Sequence, residues 1–192
     1  MRWLRSRRPA PTGRQLPILV TERLRLRPGV FEDAESLHRA FSDRPTMQWW
    51  TEAAHLSLDQ TRAHLERPSP GWRRWMITAH GSNLAIGFVA AGEKRQGNVT
   101  EVGYMLVPDQ RGHGYAREAL AGVIDQLFLA ERQRKVVADT DPDNIASRAL
   151  LESLGFALEG MLRAEWETHI GVRDTALYGL LAADWKGPPP RG

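Results

Sequence analysis

The spacing of hydrophobic residues changes several times along the chain between the two-residue period of a strand and the 3.6-residue period of a helix. Residues 21–28, TERLRLRP, alternate leucine with arginine and end at a proline, which predicts a half-buried strand. The helical period is clearest in residues 115–130, where apolar side chains return on one face. Strands followed by alternating strands and helices predict a mixed α/β (α+β) fold, with helices packed on the faces of one sheet.

The other predicted elements are shorter. Residues 31–41 and 57–66 have helical spacing, and Ser57 is expected to cap the second of these helices. Residues 144–156, NIASRALLESLGF, predict a short helix that Gly155 terminates. Strands are also predicted within residues 73–92, which turn at 80–83, and within 98–108, 134–141 and 173–181.

The 192 residues suit a single domain with two tails. Five of the 26 basic residues are arginines within residues 1–19, ahead of the first acidic residue, Glu22. The net charge of +3 therefore comes from this segment. Its prolines and glycine favour a flexible basic arm over 1–19, followed by a domain over 20–185 and a disordered tail over 186–192.

Composition excludes several classes of function. The chain has no cysteine, so disulfides, thiolate metal sites and cysteine nucleophiles are excluded. We expect no membrane span and no secretory signal, because no apolar run of sufficient length is present, and we expect a cytoplasmic location. We also expect no metal, since no histidine pair has the helical spacing of metal ligands. Four histidines are expected to be ordinary polar residues: His38, His55, His64 and His169.

A glycine-rich turn over residues 110–116 leads from a predicted strand into the clearest helix. Such a turn presents the unpaired N–H groups and the positive dipole end of a helix, which together bind anions. The dinucleotide-binding pattern is absent, because Arg117 stands where its third glycine would be, and no lysine completes a P-loop. The alternative is a turn with a structural role alone.

Residues 111–116, Arg-Gly-His-Gly-Tyr-Ala, match the pattern Q/R-x-x-G-x-G/A. This segment resembles the pyrophosphate loop of the GCN5-related N-acetyltransferase (GNAT) family. DPDNIASRALLESLGF resembles the second signature of that family, while TERLRLRP and EVGYMLVP resemble its ribosomal-protein alanine acetyltransferase (RimJ/RimL-like) branch. The resemblance covers roughly residues 20–185. It implies a single GNAT-type domain, whose central, mostly antiparallel sheet contains a parallel, splayed strand pair and has helices on both faces.

The resemblance also implies that acetyl-coenzyme A is the cosubstrate. One backbone N–H, around Leu106 or Val107, would face the thioester oxygen. Asn144 would contact the cofactor arm, with a plain helix N-cap as the alternative. The implied cofactor-binding residues are Tyr104, Met105, Leu106, Val107, Arg111, Gly112, His113, Gly114, Tyr115, Ala116 and Asn144.

The resemblance implies three catalytic candidates. Many family members carry a tyrosine that acts as the general acid at the position where this chain has Leu151. Ser147 therefore becomes the candidate proton donor to the coenzyme A thiolate. Its alternative role is a bond to a helix carbonyl. The general base is expected to be Glu165 ahead of Glu101, with Glu167 nearby, although each could be a solvated surface acid.

Tryptophans are expected to form the walls of an acceptor cleft. Trp49 and Trp50 would form one wall and Trp166 the other, with core packing of the first two as the alternative.

These features predict an N-acetyltransferase acting on a primary amine, either a protein N-terminal α-amine or a small amine. The α-amine is favoured over lysine because its reference pKa is lower by roughly 2.5, so neutralising lysine at pH 7 costs roughly 3.5 kcal/mol more. The alternatives are a non-catalytic coenzyme A sensor and an RNA-associated protein that acts through the basic arm, although nucleic acid is not the favoured partner. The oligomeric state stays open, a homodimer included.

Overall fold

A computed structural model describes residues 16–67, 69–94 and 97–188. Eight strands form one sheet in the order β1-β2-β3-β4-β5-β6-β8-β7. The strands are β1 Leu19–Val20, β2 Leu24–Pro28, β3 Trp72–Ala79, β4 Ala85–Glu93, β5 Val99–Leu106, β6 Lys135–Thr140, β7 Ala157–Thr168 and β8 Gly171–Leu181. The helices are α1 Asp33–Phe41, α2 Arg44–Met47, α3 Leu58–Glu66, α4 Tyr115–Asp125 and α5 Ile145–Ser153. A 3-10 turn, Pro108–Gln110, precedes α4, and a π-helical turn, Gln126–Ala130, follows it.

The sheet is antiparallel apart from the pair formed by β5 and β6. These two strands are paired over three residues each, Val99 to Glu101 against Lys135 to Val137, and then diverge. The prediction of a mixed, mostly antiparallel sheet with one parallel, splayed pair is confirmed.

The predicted capping residues act as expected. The Ser57 side chain accepts a hydrogen bond from the Gln60 N–H, which satisfies one of the unpaired donors at the start of α3. Gly155 follows α5 with φ +87°, the left-handed conformation that ends a helix at low cost in glycine. Helix α4 buries Leu120, Val123 and Ile124 in the core, as its 3.6-residue period indicates.

Three elements were not predicted. Strand β7 is exposed along nearly its whole length, so its residues show no alternation of apolar and polar side chains. Strand β1 and helix α2 are too short, at two and four residues, to produce a period. In β2, Arg27 is buried instead of facing solvent, because its guanidinium forms two hydrogen bonds with the Asp33 carboxylate, at 2.6 and 2.8 Å.

Residues 1–15 of the predicted arm and 189–192 of the predicted tail lie outside the described residues. Residues 16–19 lie against the sheet, where the Trp75 indole N–H donates to the Pro17 carbonyl at 2.9 Å. Near the other end, the Trp185 indole N–H donates to Asp125 at 2.7 Å. No helix within the described ranges is long and apolar enough to cross a membrane.

The close approach of β4 to β5 yields a stability prediction. A Cβ on Gly87 would lie 2.2 Å from the Met105 carbonyl oxygen, a backbone atom that cannot move aside alone. We expect Gly87→Ala to lower the free energy of unfolding in urea by roughly 1–3 kcal/mol through overpacking. Gly103→Ala is the matched control, since a Cβ there meets nothing within 4 Å. Equal midpoints and slopes for the two variants would contradict the steric argument.

Candidate functional site

A cavity of about 860 Å³ opens where β5 and β6 diverge. It is lined by the segment after α2, by β3, β4 and β5, by the glycine turn, and by the start of α5 and the β7–β8 hairpin. The predicted site residues that line it are Trp49, Trp50, Glu101, Tyr104, Met105, Leu106, Arg111, Gly112, Gly114, Tyr115, Ala116, Asn144, Ser147 and Trp166. The structure thus brings most of the predicted site into one place.

The pairing of β4 with β5 determines which backbone groups of β5 face the opening. The Val107 N–H donates to the Ile86 carbonyl at 3.0 Å, while Leu106 lies opposite Gly87. Backbone groups alternate in direction along an antiparallel strand, so those of Leu106 point away from β4. Arg111 reaches the Leu106 carbonyl from that side, at 3.1 Å. The sequence did not decide between the N–H groups of Leu106 and Val107. The Leu106 N–H faces the cavity, whereas Val107 is fully buried and its N–H is bonded to β4.

Two glycines give the turn before α4 its shape. Gly112 has φ +78° and Gly114 has φ +77°, a left-handed conformation that other residues adopt only with strain. A Cβ on Gly112 would meet nothing within 4 Å, so the space above the backbone is open. Together with the first N–H groups of α4, this turn has the geometry of an anion site.

A charged network holds the turn in place. The Arg23 guanidinium donates to the His113 carbonyl at 2.9 Å and to the Glu118 carboxylate at 2.6 Å, and Thr21 donates to the same carboxylate at 2.6 Å. Burial raises the pKa of Glu118, but the hydrogen bonds from Thr21 and Arg23 outweigh it and lower that pKa overall. Glu118 therefore stays ionised, and the turn is fixed from the side opposite the cavity.

The structure corrects the roles expected for two side chains of the turn. His113 does not line the cavity, because its exposed ring packs against Tyr115 with 5.7 Å between ring centroids. The Arg111 guanidinium is turned back toward the sheet, where it donates to the Thr46 hydroxyl and the Leu106 carbonyl. Arg111 thus fixes the turn to β5 in addition to contributing charge.

The start of α5 presents a hydroxyl pair to the cavity. The Asn144 side chain accepts from the Ser147 N–H at 3.1 Å, which confirms the helix-cap alternative and leaves its amide nitrogen for a ligand. The Ser147 Oγ lies 2.7 Å from the Tyr104 hydroxyl. Burial raises the pKa of Tyr104 to about 12, so this hydroxyl keeps its proton at neutral pH.

Two carboxyl groups meet on the opposite side of the cavity. Burial raises the pKa of Glu101, and a hydrogen bond with Asp139 raises it further. The Lys94 ammonium, which forms a salt bridge with Glu101 at 2.5 Å, lowers this pKa and so opposes both effects. The Trp166 indole N–H donates to Asp139 at 2.9 Å. The neighbouring Asp139 carboxyl therefore disfavours the charged form of Glu101 and raises the pKa of Glu101 in the same direction as burial does.

Of the two candidate bases, only Glu101 lines the cavity in the part of the chain that the structure describes. Glu165 and Glu167 are exposed and do not line the cavity. Because side chains alternate along a strand, the inward position of Trp166 turns both neighbouring glutamates outward. Glu101 is the candidate base that the structure places at the site.

Aromatic rings form two walls of the cavity, as predicted. Trp49 and Trp50 are half-buried, and Trp50 packs against Phe88 with 6.0 Å between ring centroids. The facing wall is Trp166 on β7. The two walls are joined by a hydrogen bond at 3.1 Å, donated by the His169 backbone N–H to the Thr51 carbonyl.

Three side chains of the cavity were not identified from the sequence. Asp139 lies within a predicted strand, but nothing in the sequence shows that it is close to Glu101. The side chain of Tyr104 was not considered, although its position on the strand leading to the turn was a signal. Arg74 lines the cavity half-buried over the Phe88 ring, at 5.1 Å, and has no carboxylate partner among the described residues.

Comparisons with known proteins agree with this geometry. The family model described as the acetyltransferase (GNAT) domain matches residues 23–157. The chain is 32% identical over 174 residues to the uncharacterized N-acetyltransferase YoaA of Bacillus subtilis (strain 168), and the match covers 86% of this chain and 97% of that protein.

Solved structures share the fold. A GNAT-family acetyltransferase from Bacillus anthracis has a TM-score of 0.79 at 22% identity, covering 87% of this chain and 99% of that one. Mycobacterium smegmatis RimJ, solved in complex with CoA-disulfide, has a TM-score of 0.67 at 23% identity, covering 86% of this chain and 85% of that one. At these identities the likeness concerns the fold alone.

Proposed function

Because this chain belongs to the acetyltransferase (GNAT) family, we propose that it transfers the acetyl group of acetyl-coenzyme A to a primary amine, with a protein N-terminal α-amine as the favoured acceptor. The observation that carries the proposal is the open edge of β5, which faces a hydroxyl pair and a carboxyl pair within one cavity. A strand edge binds an extended amide-containing chain, a hydroxyl supplies a proton, and a carboxylate accepts one.

The residues present fit acetyl-coenzyme A. The outward-facing backbone groups of Tyr104 and Leu106 can pair with the amides of its pantetheine arm, as an added strand would. The turn at Gly112 and Gly114 leaves room for a pyrophosphate against the first N–H groups of α4. When bound, the cosubstrate supplies an acetyl thioester. RimJ, a protein of the same fold, was solved in complex with CoA-disulfide, which supports coenzyme A as the type of ligand.

Glu101 is proposed to take the proton from the acceptor ammonium, directly or through one water. Burial and Asp139 raise its pKa, which makes it a stronger base than an exposed glutamate. The Lys94 ammonium opposes this rise in the pKa of Glu101. Asp139 is held toward Glu101 by the Trp166 indole.

Ser147 is proposed to protonate the departing thiolate. The Tyr104 hydroxyl can donate to Ser147 Oγ, which leaves the serine proton for the sulfur. Leu151, which occupies the position of the tyrosine acid of many relatives, is fully buried and apolar. The Leu106 N–H is the proposed donor to the thioester oxygen, since it points into the opening between the strands.

The acceptor is proposed to carry one primary amine rather than several. The buried carboxyl pair attracts a cationic amine, while the unpaired Arg74 guanidinium repels a second positive charge in the same cavity. An α-amine is easier to neutralise than lysine by roughly 3.5 kcal/mol at pH 7, so it places the smaller demand on Glu101. A small amine is the second candidate, because the cavity does not exclude a compact acceptor.

The proposed function is tested with labelled acetyl-coenzyme A and a panel of peptides and small amines. We expect label transfer to an amine and saturable binding by calorimetry, both lost in Gly114→Val because valine strains a backbone with φ +77° and crowds Arg23, whose guanidinium lies 3.5 Å from a Cβ there, so the turn moves out of its binding position. Gly81→Val is the matched control, since Gly81 has φ +76°, almost the same as Gly114, in the turn between β3 and β4. Binding without transfer to any amine would instead favour the coenzyme A sensor.

A second experiment separates the two candidate bases by pH. We expect kcat/KM of the wild type to fall on the acid side with an apparent pKa above the ordinary glutamate value of 4.5, because the folded environment raises the pKa of Glu101. Glu101→Gln should lower kcat and make activity rise up to the pKa of the acceptor amine itself. Glu165→Gln, the exposed control, should retain the wild-type profile. The opposite pattern would restore Glu165 as the base.

A third experiment separates the two hydroxyls. Ser147→Ala should lower kcat by about 10²-fold if thiolate protonation limits the rate, with little change in acetyl-coenzyme A affinity. Tyr104→Phe keeps the ring packing and removes one donor to Ser147, so its effect should be smaller. Unchanged turnover in Ser147→Ala under conditions where chemistry limits the rate would exclude the role. A larger loss in Tyr104→Phe would make the tyrosine the acid.

A further inference from the structure

Two histidines and a glutamate meet beside the aromatic wall of the cavity, although their spacing in the sequence predicts no metal site. Glu52 and His55 lie in the segment between α2 and α3, and His64 lies near the end of α3. Their candidate ligand atoms all lie within 4.8 Å of one another. We refer to Glu52, His55 and His64 as the histidine cluster.

The distances within the histidine cluster suit a small metal ion. The Glu52 Oε2 lies 3.1 Å from His64 Nδ1 and 3.7 Å from His55 Nε2. In a tetrahedral zinc site with bonds of about 2.0–2.1 Å, neighbouring ligand atoms lie about 3.3 Å apart. Two of the three pairs are therefore already near the spacing that zinc requires.

A buried threonine holds the His55 imidazole in an orientation suited to binding. Thr61, fully buried, lies with its Oγ1 2.9 Å from His55 Nδ1 and 2.8 Å from His38 Nδ1. If His55 donates from Nδ1 to Thr61, and Thr61 donates to His38, the lone pair of His55 Nε2 points at Glu52. Ligating histidines characteristically donate their other ring N–H in this way.

Aromatic packing restricts the rings of His55 and His64. Phe41 stacks on His55 at 4.9 Å with 7° between the planes, and it contacts His64 at 4.9 Å from another side. His55 is 9% exposed. Because rigid side chains lose little entropy on binding, this packing prepares the site before a metal arrives.

We propose that the histidine cluster binds a divalent transition metal, with Zn²⁺ as the best fit, through Glu52 Oε2, His55 Nε2 and His64 Nδ1. Two imidazoles and one carboxylate form a three-ligand zinc set with a fourth position for water. Calcium and magnesium prefer oxygen ligands and are poorly matched.

A guanidinium contact limits the strength of the site without blocking it. Arg67 donates to the other oxygen of Glu52 at 3.2 Å, which leaves Oε2 for the metal. Arg74 also acts electrostatically on His64. Both positive charges oppose a cation, so binding is weaker than at a buried structural zinc site that has no such neighbours.

Metal binding would connect the cavity wall to α3. Glu52 follows Trp50 by two residues, and the Thr51 carbonyl between them accepts the bond from the His169 N–H. A bound ion would therefore fix the segment that carries Trp49 and Trp50 to the helix that carries His64. This role does not depend on acetyl transfer, since it concerns the stability and rigidity of the wall.

The test uses the full chain without a histidine tag, in chelator-treated buffer, titrated with Zn²⁺ in a calorimeter. We expect saturable binding of one ion, and a melting temperature that rises by roughly 5–10 °C when Zn²⁺ is present at about a hundred times its Kd. Co²⁺ should give the visible absorption of a tetrahedral nitrogen–oxygen site, and Mg²⁺ should produce neither effect. Absence of one-to-one Zn²⁺ binding would overturn the proposal.

Variants assign the binding to the three ligands. His64→Gln and Glu52→Gln should abolish the tetrahedral Co²⁺ spectrum, and Glu52→Gln should leave folding intact because the Glu52 side chain is 42% exposed and glutamine has nearly the same shape. Thr61→Val should weaken Zn²⁺ binding by roughly 10–100-fold while all three ligands are retained. The control is His169→Gln, which alters an exposed histidine outside the histidine cluster. Wild-type affinity in Glu52→Gln and His64→Gln, or equal loss in His169→Gln, would show that Zn²⁺ binds elsewhere.

Discussion

The divergence of β5 from β6 is the constraint on which the site depends. The two strands are paired over three residues each and then separate. Backbone groups that would be hydrogen-bonded in a continuous sheet therefore face the cavity. The pairing of β4 with β5 then selects among them, because only alternate residues, Leu106 included, present their N–H and carbonyl groups to the gap. Unpaired backbone groups inside a protein are costly, and here Arg111 satisfies the Leu106 carbonyl while the Leu106 N–H faces the gap.

Positive and negative groups lie at different ends of this gap. At one end, the network of Arg23, Glu118 and Thr21 fixes a turn whose N–H groups attract an anion. At the other, the half-buried carboxyl groups of Glu101 and Asp139 interact and place negative charge in the cavity. Under the proposed function, this polarity would direct the pyrophosphate of the cosubstrate and the acceptor amine to opposite ends of the cavity.

Much of this arrangement could be predicted from the sequence, where local periods and turn chemistry decide the structure. The helix after the glycine turn and the cap at Asn144 follow from spacing and residue type. The choice of Leu106 over Val107 required the pairing of β4 with β5, which no local pattern encodes. That Glu101 lines the cavity and Glu165 does not was not visible in the sequence, because β7 is exposed along nearly its whole length and its pattern does not show which residues face inward. Contacts between distant segments, such as Glu101 with Asp139, have no local signature.

Strand β7 lies at the edge of the sheet, and its shape bears on how the molecule behaves at high concentration. An open edge invites strands of other molecules to add to it, and natural proteins discourage this with bulges and charges. The register of β7 against β8 shifts twice, and Ala164, with φ +52°, lies within the second irregularity. Exposed Arg163, Glu165 and Glu167 surround that bend. An irregular, charged edge of this kind offers a poor template for strands of other molecules.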